Sequence, residues 1–230
     1  MIKYDVIILS GGKGLRVSKL TKKTPKCLID INGKPFLYHQ LKYLQKYRIK
    51  NVILSVGYLS NKINAYVDKE IDFLNIKIVN DGNKLLGTGG AIMKSLDLLK
   101  EKFFVIYGDS YLNFNLNKLK SKSKFSSMAI FKNDNKYDLS NVDIKKSRFI
   151  FYNKTKTKND CNYIDYGVSY LNKSIFKNEK RYKKFDLSLT LNKASKKNQL
   201  KGLIVKKRFY EIGSYDGIKQ LKNFLKKWIL

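Results

Sequence analysis

Apolar residues along the chain fall in short runs that alternate with longer amphipathic stretches. Val6-Ile7-Ile8-Leu9 is apolar throughout and stops at Ser10-Gly11-Gly12, which reads as a buried strand ending at a turn. The first strand is expected at about 3–9, with similar runs at 51–56, 75–80 and 103–107. Between them the period changes. Phe36, Leu37, Leu41 and Leu44 recur at helical spacing over 35–47, with Pro35 suited to the first turn. Residues 60–70 open on Ser60, an N-cap type, and 89–100 carry Ile92, Met93, Leu96 and Leu99 on one face. Such alternation implies right-handed crossovers and a largely parallel sheet covered by helices on both sides. Ligands of these sheets sit beyond the carboxyl ends of the strands. The glycines after Leu9, Gly57-Tyr58, Asp81-Gly82 and Gly108-Asp109 all come directly after strands, so they are expected on one rim.

The second half has a different rhythm. Residues 126–132, 141–153 and 162–171 alternate like antiparallel strands, with a Lys/Asn-rich loop at 154–160. Helical segments near 172–180 and 185–195, a strand at 201–207 and a helix over 215–227 after Gly213-Ser214 complete the pattern. Neither an internal repeat nor an interdomain linker interrupts it. The fold class read from this is α/β, a Rossmann-like, mostly parallel mixed sheet flanked by helices, with a small antiparallel subdomain, all in one domain over 1–230.

Composition changes this picture in two places. With 43% hydrophobic residues the chain has material for a core, and no apolar run is long enough for a membrane-spanning helix. Chain entry directly into a strand, without a signal-peptide pattern, and two distant cysteines, Cys27 and Cys161, point to a cytoplasmic protein. The formal net charge of +30 raises nucleic-acid binding as an alternative. The excess is nearly all Lys, however, with Arg only at 16, 48, 148, 181 and 208, and it is spread along the whole chain. Abundant Asn, Ile, Tyr and Phe beside Lys suit an AT-rich genome. A basic chain with anionic small substrates is favoured over a specific nucleic-acid surface.

The candidate chemistry starts at Gly11-Gly12-Lys13-Gly14. Three glycines in four positions let the backbone approach a ligand, and successive N–H groups can then wrap a phosphate. Arg16 and Lys26 add fixed positive charge nearby. The run lacks the Gly-Lys-Ser/Thr ending of a P-loop and the Gly-x-Gly-x-x-Gly spacing of a dinucleotide site.

Together with two elements farther along the chain, the run resembles the signature of sugar-1-phosphate nucleotidyltransferases. The three elements are Leu9-Ser10-Gly11-Gly12-Lys13-Gly14-Leu15-Arg16, then Thr24-Pro25-Lys26, then Gly33-Lys34-Pro35-Phe36-Leu37, in that family's order and spacing. Leu15 stands where the family has Thr. Leu86-Gly87-Thr88-Gly89-Gly90-Ala91, Gly108-Asp109, Ile150-Phe151-Tyr152-Asn153-Lys154, Asp165-Tyr166-Gly167-Val168 and Phe209-Tyr210-Glu211-Ile212-Gly213-Ser214 extend the resemblance over nearly the whole chain. Asn153 replaces a family Glu, and Glu211 replaces a family Asp.

The resemblance implies roles. A nucleotide-binding half over about 1–125 would use Leu9, Gly11, Gly12, Lys13, Gly14, Gly87, Thr88 and Gly89 on the nucleoside triphosphate. A sugar-phosphate half over about 126–230 would use Asn153, Lys154, Asp165 and Gly167. Arg16 and Lys26 would be catalytic, and Asp109 and Glu211 would hold Mg²⁺. The implied reaction joins NTP and a sugar 1-phosphate into an NDP-sugar and pyrophosphate, for surface polysaccharide precursors. Its nucleophile is a phosphate monoester with a second pKa near ~6, so no general base is needed. His39, within the 35–47 helix, is accordingly read as structural.

Leu86 to Ile92 is similar to the corresponding segment of heptose 1-phosphate guanylyltransferases, which implies GTP and a D-glycero-D-manno-heptose 1-phosphate-like acceptor. Cytidylyl- and uridylyltransferases share the scaffold and stay open as alternatives. So do a non-catalytic regulatory homologue, a basic nucleic-acid-binding homologue and a homo-oligomeric state. The chain is too short for the β-helix domain that acetyl-transferring relatives append, so a single activity is expected.

Overall fold

The computed structural model describes residues 2–82, 84–120, 123–154, 161–179 and 184–227. Its elements are β1 (Tyr4–Ser10), α1 (Ser18–Thr21), β2 (Asp30–Ile31), β3 (Lys34–Pro35), α2 (Phe36–Lys46), β4 (Asn51–Val56) and α3 (Ser60–Glu70). They continue with β5 (Asn75–Asn80), α4 (Gly87–Ser95), β6 (Leu99–Tyr107), β7 (Ser110–Tyr111), β8 (Ser126–Lys132), β9 (Val142–Ile144) and β10 (Ile150–Tyr152). Last come β11 (Tyr163–Asn172), α5 (Leu187–Lys196), β12 (Leu200–Ile204), β13 (Tyr210–Glu211) and α6 (Tyr215–Lys226). No helix among the described residues is long and apolar enough to cross a membrane.

Nine of these strands form one sheet. Along the order β10-β9-β11-β6-β1-β4-β5, the strands β6, β1, β4 and β5 are parallel, as the strand–helix alternation of the first half predicts. The second half does not fold away from this sheet but extends it. β11 runs antiparallel to both β6 and β8, and β12 returns parallel to β8. β1 takes an interior place because Val6, Ile7 and Ile8 offer water nothing polar, and all three are fully buried. Alternate side chains feed opposite layers: Ile8 joins the apolar cluster under α2 and α3, and Ile7 the cluster under α4 and α5.

Three boundaries differ from the sequence reading. The 89–100 helix stops at Ser95 and turns through Leu96–Leu98, because Leu99 is the first residue of β6 and pairs with Tyr4. The 141–153 strand is a hairpin, β9 and β10, reversed at Lys146–Arg148 where Ser147 and Arg148 have φ of 57° and 61°. The 172–180 helix is a single short turn, Lys173–Phe176. Of the 154–160 loop, residues 155–160 lie outside the described residues.

A third apolar cluster matters most for the site. Val17, Ile29, Ile31 and Phe36 pack against Ile212, Ile218, Leu221 and Leu225, clamping α6 onto the segment that carries Arg16 and Lys26. A sheet covered on both sides makes a specific demand on β1. Ile7→Ala and Ile8→Ala, adjacent but on opposite faces, should each lower stability by about 2–5 kcal/mol in denaturant unfolding. A loss confined to one of them would mean that one face of β1 is solvated.

Candidate active site

The four strand ends do converge, and backbone hydrogen bonds tie them together. Tyr58 N–H donates to Gly11 O (3.2 Å), Asp81 N–H to Val56 O (2.8 Å), and Gly108 N–H to Leu9 O (3.0 Å). They frame a cavity of about 360 Å³ whose wall includes Leu9, Gly11, Gly12, Gly14, Asp81, Gly87, Thr88 and Asp109. Among the described residues, the N–H groups of Gly11 to Gly14 donate to no protein acceptor. They are therefore available to an anion. The turn holds this shape because Gly14 sits at φ +68°, where a side chain is strained, while its carbonyl accepts from Val17 N–H and Thr21 Oγ1.

Outside the turn lies a second recess, lined by Lys13, Gly14, Leu15, Arg16, Lys26 and Leu85. Lys13 thus serves this recess rather than the first cavity. Three cations around one recess suit a polyphosphate tail. Arg16 is exposed and loosely paired with Asp138 at 3.8 Å, a surface pairing of little energetic weight. Leu15, at the family's Thr position, is 77% exposed and adds no hydrogen bond here.

Lys26 Nζ lies 2.7 Å from Asp109 Oδ2, in the most buried ion pair along this rim. Asp109 and Lys154 belong to the first cavity and also to a larger one of about 710 Å³ on the second half of the chain. Tyr107 is common to both as well. The boundary between the cavities is therefore made of a carboxylate, an ammonium and a tyrosine. Glu211 lines the larger cavity next to it, placed there by the β7–β13 ladder, which sets Glu211 opposite Ser110, while Ile212 N–H donates to Asp109 O (3.0 Å). Glu211 Oε2 accepts from Gly213 N–H and Oε1 from Ser214 Oγ, the residue that caps α6. The extra methylene of Glu211 is taken up at Gly217, where any Cβ would overlap Oε1.

The larger cavity contains Asp165, at the irregular step of β11. Burial pushes its carboxyl up to about 6, against hydrogen bonds from Gly167 N–H and the Tyr107 hydroxyl and the charge of Lys154. Lys154 pairs with Asp186 at 3.2 Å. Burial alone would raise Asp186, but the Ser188 N–H and hydroxyl together with Lys154 hold it below the usual carboxylate range. Of the other two predicted sugar ligands, Asn153 bonds through its backbone N–H to Asn141 O, and Gly167 faces Ser110. Neither forms the wall of either cavity.

At the opposite end, Gly87 and Thr88 line the first cavity, and Thr88 Oγ1 accepts from Leu187 N–H (2.8 Å). Gly89 does not line it. A Cβ there would enter the Phe185 ring, so this glycine serves helix packing. The sequence reading places Asp81 only on the rim and misses Tyr107, Tyr152, Asp186 and Arg208 altogether. Aromatic residues on strands look like core, and Asp186 reads as an ordinary N-cap, a role it also fills toward Ser188. His39 is structural, with Nε2 2.9 Å from Ile31 O. Burial drives the Cys27 thiol up to about 12, so it stays unreactive in the cavity wall.

Asp165 gives the site a pH signature. Its folded pKa lies above the unfolded value, so ionisation opposes folding as pH rises from about 4 through about 6. Asp165→Asn should therefore leave stability near pH 4 almost unchanged and raise it by about 2 kcal/mol above pH 7. Thermal unfolding of both proteins across that range checks this; a pH-independent difference would contradict the buried-carboxyl account.

Comparison with known proteins identifies the family. The model of the nucleotidyl transferase family matches residues 5–227. The chain is 37% identical over 212 residues to D-glycero-alpha-D-manno-heptose 1-phosphate guanylyltransferase of Campylobacter jejuni, covering 91% of this chain and 94% of that protein. It is 30% identical over 236 residues to the enzyme of the same name from Aneurinibacillus thermoaerophilus, covering 98% and 100%. HddC from Yersinia pseudotuberculosis, solved in complex with GMP-PN, superposes with a TM-score of 0.80 at 26% identity over 96% of this chain and 99% of that one. By the match along its length and by the rim it builds, the chain belongs to the nucleotidyl transferase family.

Proposed function

We propose that the protein transfers the nucleotidyl group of GTP to a heptose 1-phosphate, or a close sugar 1-phosphate, releasing pyrophosphate, with Mg²⁺ as cofactor and in the cytoplasm. The observation that carries this reading is the position of Lys26 and Asp109. Their 2.7 Å pair joins Lys26, in the wall of the 360 Å³ cavity, to Asp109, which lines both that cavity and the 710 Å³ one. Two phosphate-bearing ligands, one in each cavity, would bring their phosphates together at that point.

The chemistry demanded there is positioning and charge neutralisation rather than proton abstraction. A sugar-phosphate oxygen attacks the α-phosphorus, the P–O bond to the β-phosphate breaks, and the electron pair leaves with pyrophosphate. The N–H groups of Gly11 to Gly14 hold the triphosphate, and Lys13 and Arg16 receive the departing charge in the outer recess. Lys26 offsets the repulsion between the two anions as they close. Lys154, common to both cavities, steadies the acceptor phosphate, and Asp165 with Tyr107 meets sugar hydroxyls. Asp109 and Glu211, both in the wall of the larger cavity, are hard oxygen donors of the kind Mg²⁺ takes beside substrate phosphates. When bound, the cation supplies further neutralisation of phosphate charge. The relatives named heptose 1-phosphate guanylyltransferase support the choice of base and sugar.

Pyrophosphate release with four NTPs against a panel of sugar 1-phosphates tests the reading. GTP with heptose 1-phosphate should be the best pair, and silence across the whole panel would overturn it. Lys26→Ala and Asp109→Ala should each lower kcat/KM by about 10³-fold, roughly 4 kcal/mol, in protein that still unfolds cooperatively. Chelation should abolish turnover and added Mg²⁺ restore it; full turnover in excess chelator would remove the cation from the reading.

A further inference from the structure

We propose that Gln40 is the positioning residue for Asp109, holding the turn that carries this carboxylate and so setting its place against Lys26. The inference rests on the roles proposed above for Asp109 and Lys26. It goes beyond them to a residue outside the wall of either cavity. Gln40 lies in α2 between Leu37 and Leu44, on the face that packs under the sheet, and is only 4% exposed. A polar side chain on such a face is costly unless it is bonded. Its amide nitrogen carries two hydrogens and directs both at one turn. Nε2 donates to Tyr107 O (3.0 Å) and to Ser110 O (2.8 Å), the carbonyls on either side of Gly108-Asp109.

Chemistry fixes the orientation of this amide. Reversing it would set Oε1 against two carbonyl oxygens with no hydrogen between them. As it stands, Oε1 is buried and, among the described residues, meets no donor. Gln40 therefore leaves an acceptor stranded while both of its donors hold the turn. A Met or Leu would fill the same space without a stranded oxygen. What glutamine adds at this position is the grip on the Asp109 turn.

The grip matters because of where α2 begins. Ile29 N–H donates to Lys26 O (3.1 Å) and Phe36 N–H to Ile29 O (2.9 Å), so the start of α2 is tied to the segment that carries Lys26. One helical turn later, Gln40 ties the same helix to the Asp109 turn. α2 is thus a short, stiff link between the two segments whose side chains meet at 2.7 Å. Gly108 N–H to Leu9 O and Ile212 N–H to Asp109 O, 3.0 Å each, hold the turn to its other neighbours, and Gln40 adds the tie to α2. Groups that orient a metal-facing carboxylate from behind typically matter by about 10–100-fold in metal affinity or activity.

Two variants of the full chain test this. Gln40→Met keeps the length and removes the donors, and Gln40→Glu keeps the size and, when ionised, presents acceptors only. Amide hydrogen exchange of the free protein reads the turn without any turnover. Both variants should exchange at least about tenfold faster over 107–111, while β4 stays within about threefold of wild type. In turnover, the Mg²⁺ concentration giving half the maximal rate should rise by about 10–100-fold. Saturating Mg²⁺ should then bring kcat back to within about threefold of wild type, which it would not do for a merely loosened core. Equal acceleration over 107–111 and β4 would make Gln40 an ordinary core residue and overturn the inference. So would unchanged exchange over 107–111, or an unchanged Mg²⁺ dependence in both variants. A wild-type protein without turnover on any NTP and sugar 1-phosphate would instead overturn the roles of Asp109 and Lys26, and this inference with them, even where exchange over 107–111 responds.

Discussion

The arrangement depends on one electrostatic problem, the approach of two phosphate-bearing molecules that repel each other. On the function proposed above, the Lys26–Asp109 pair is the fixed answer built into the protein. Lys26 keeps only 16% of its side chain exposed and Asp109 35%, so the pair is screened less than ion pairs on the open surface. A cation held this way carries a partner before any ligand arrives and stays oriented. The partner is itself a carboxylate at a strand end, where it can also face a metal ion. Removing one member leaves the other partly buried without compensation, which is why such pairs are sensitive to truncation.

Much of the fold can be understood as scaffolding for that point. β1 and β6 bring Gly11 and Asp109 to the same rim through their parallel register, with Leu9 opposite Tyr107. The cluster of Ile29, Ile31 and Phe36 with Ile218, Leu221 and Leu225 locks α6 over the Lys26 turn, so the last helix braces the site although it lies nearly two hundred residues farther along the chain. Arg16, by contrast, is exposed and loosely paired. The rim thus carries one shielded charge pair and, beside it, one exposed charge.

The first half of the fold is legible in the sequence because its signals are local. Apolar runs, glycines after strands and a proline at a helix start each report on their own few residues, and the strand ends meet as expected. Lys26, Asp109 and Glu211 are legible as a site only because separated elements fall in a known order; nothing in the residues themselves says they touch. What stays hidden depends on long-range packing. Leu99 fits the helical period of 89–100 equally well, and only its pairing with Tyr4 makes it strand. Gly89 has the look of a ligand contact, yet Phe185, almost a hundred residues later, fills the space beside it. Asn153, Lys154 and Asp186 lie in a Lys/Asn-rich context where no single residue stands out. The spread of Lys along the chain likewise conceals that Lys13, Lys26 and Arg16 gather around one recess.

The accommodation of Glu211 by Gly217 has a consequence for how this sequence can change. Oε1 occupies the volume that any larger residue at 217 would require, so on the present background that substitution is closed. Shortening 211 to Asp would withdraw that side-chain oxygen but leave the main-chain oxygen of residue 211, which lies 2.5 Å from any Cβ built at 217. Position 217 is thus held to glycine by the main chain, whatever stands at 211. The two neighbours differ in kind: the side chain at 211 is open to exchange, whereas 217 is fixed by the path of the backbone. Any redesign of this corner has one variable and one constant, and the constant is the glycine.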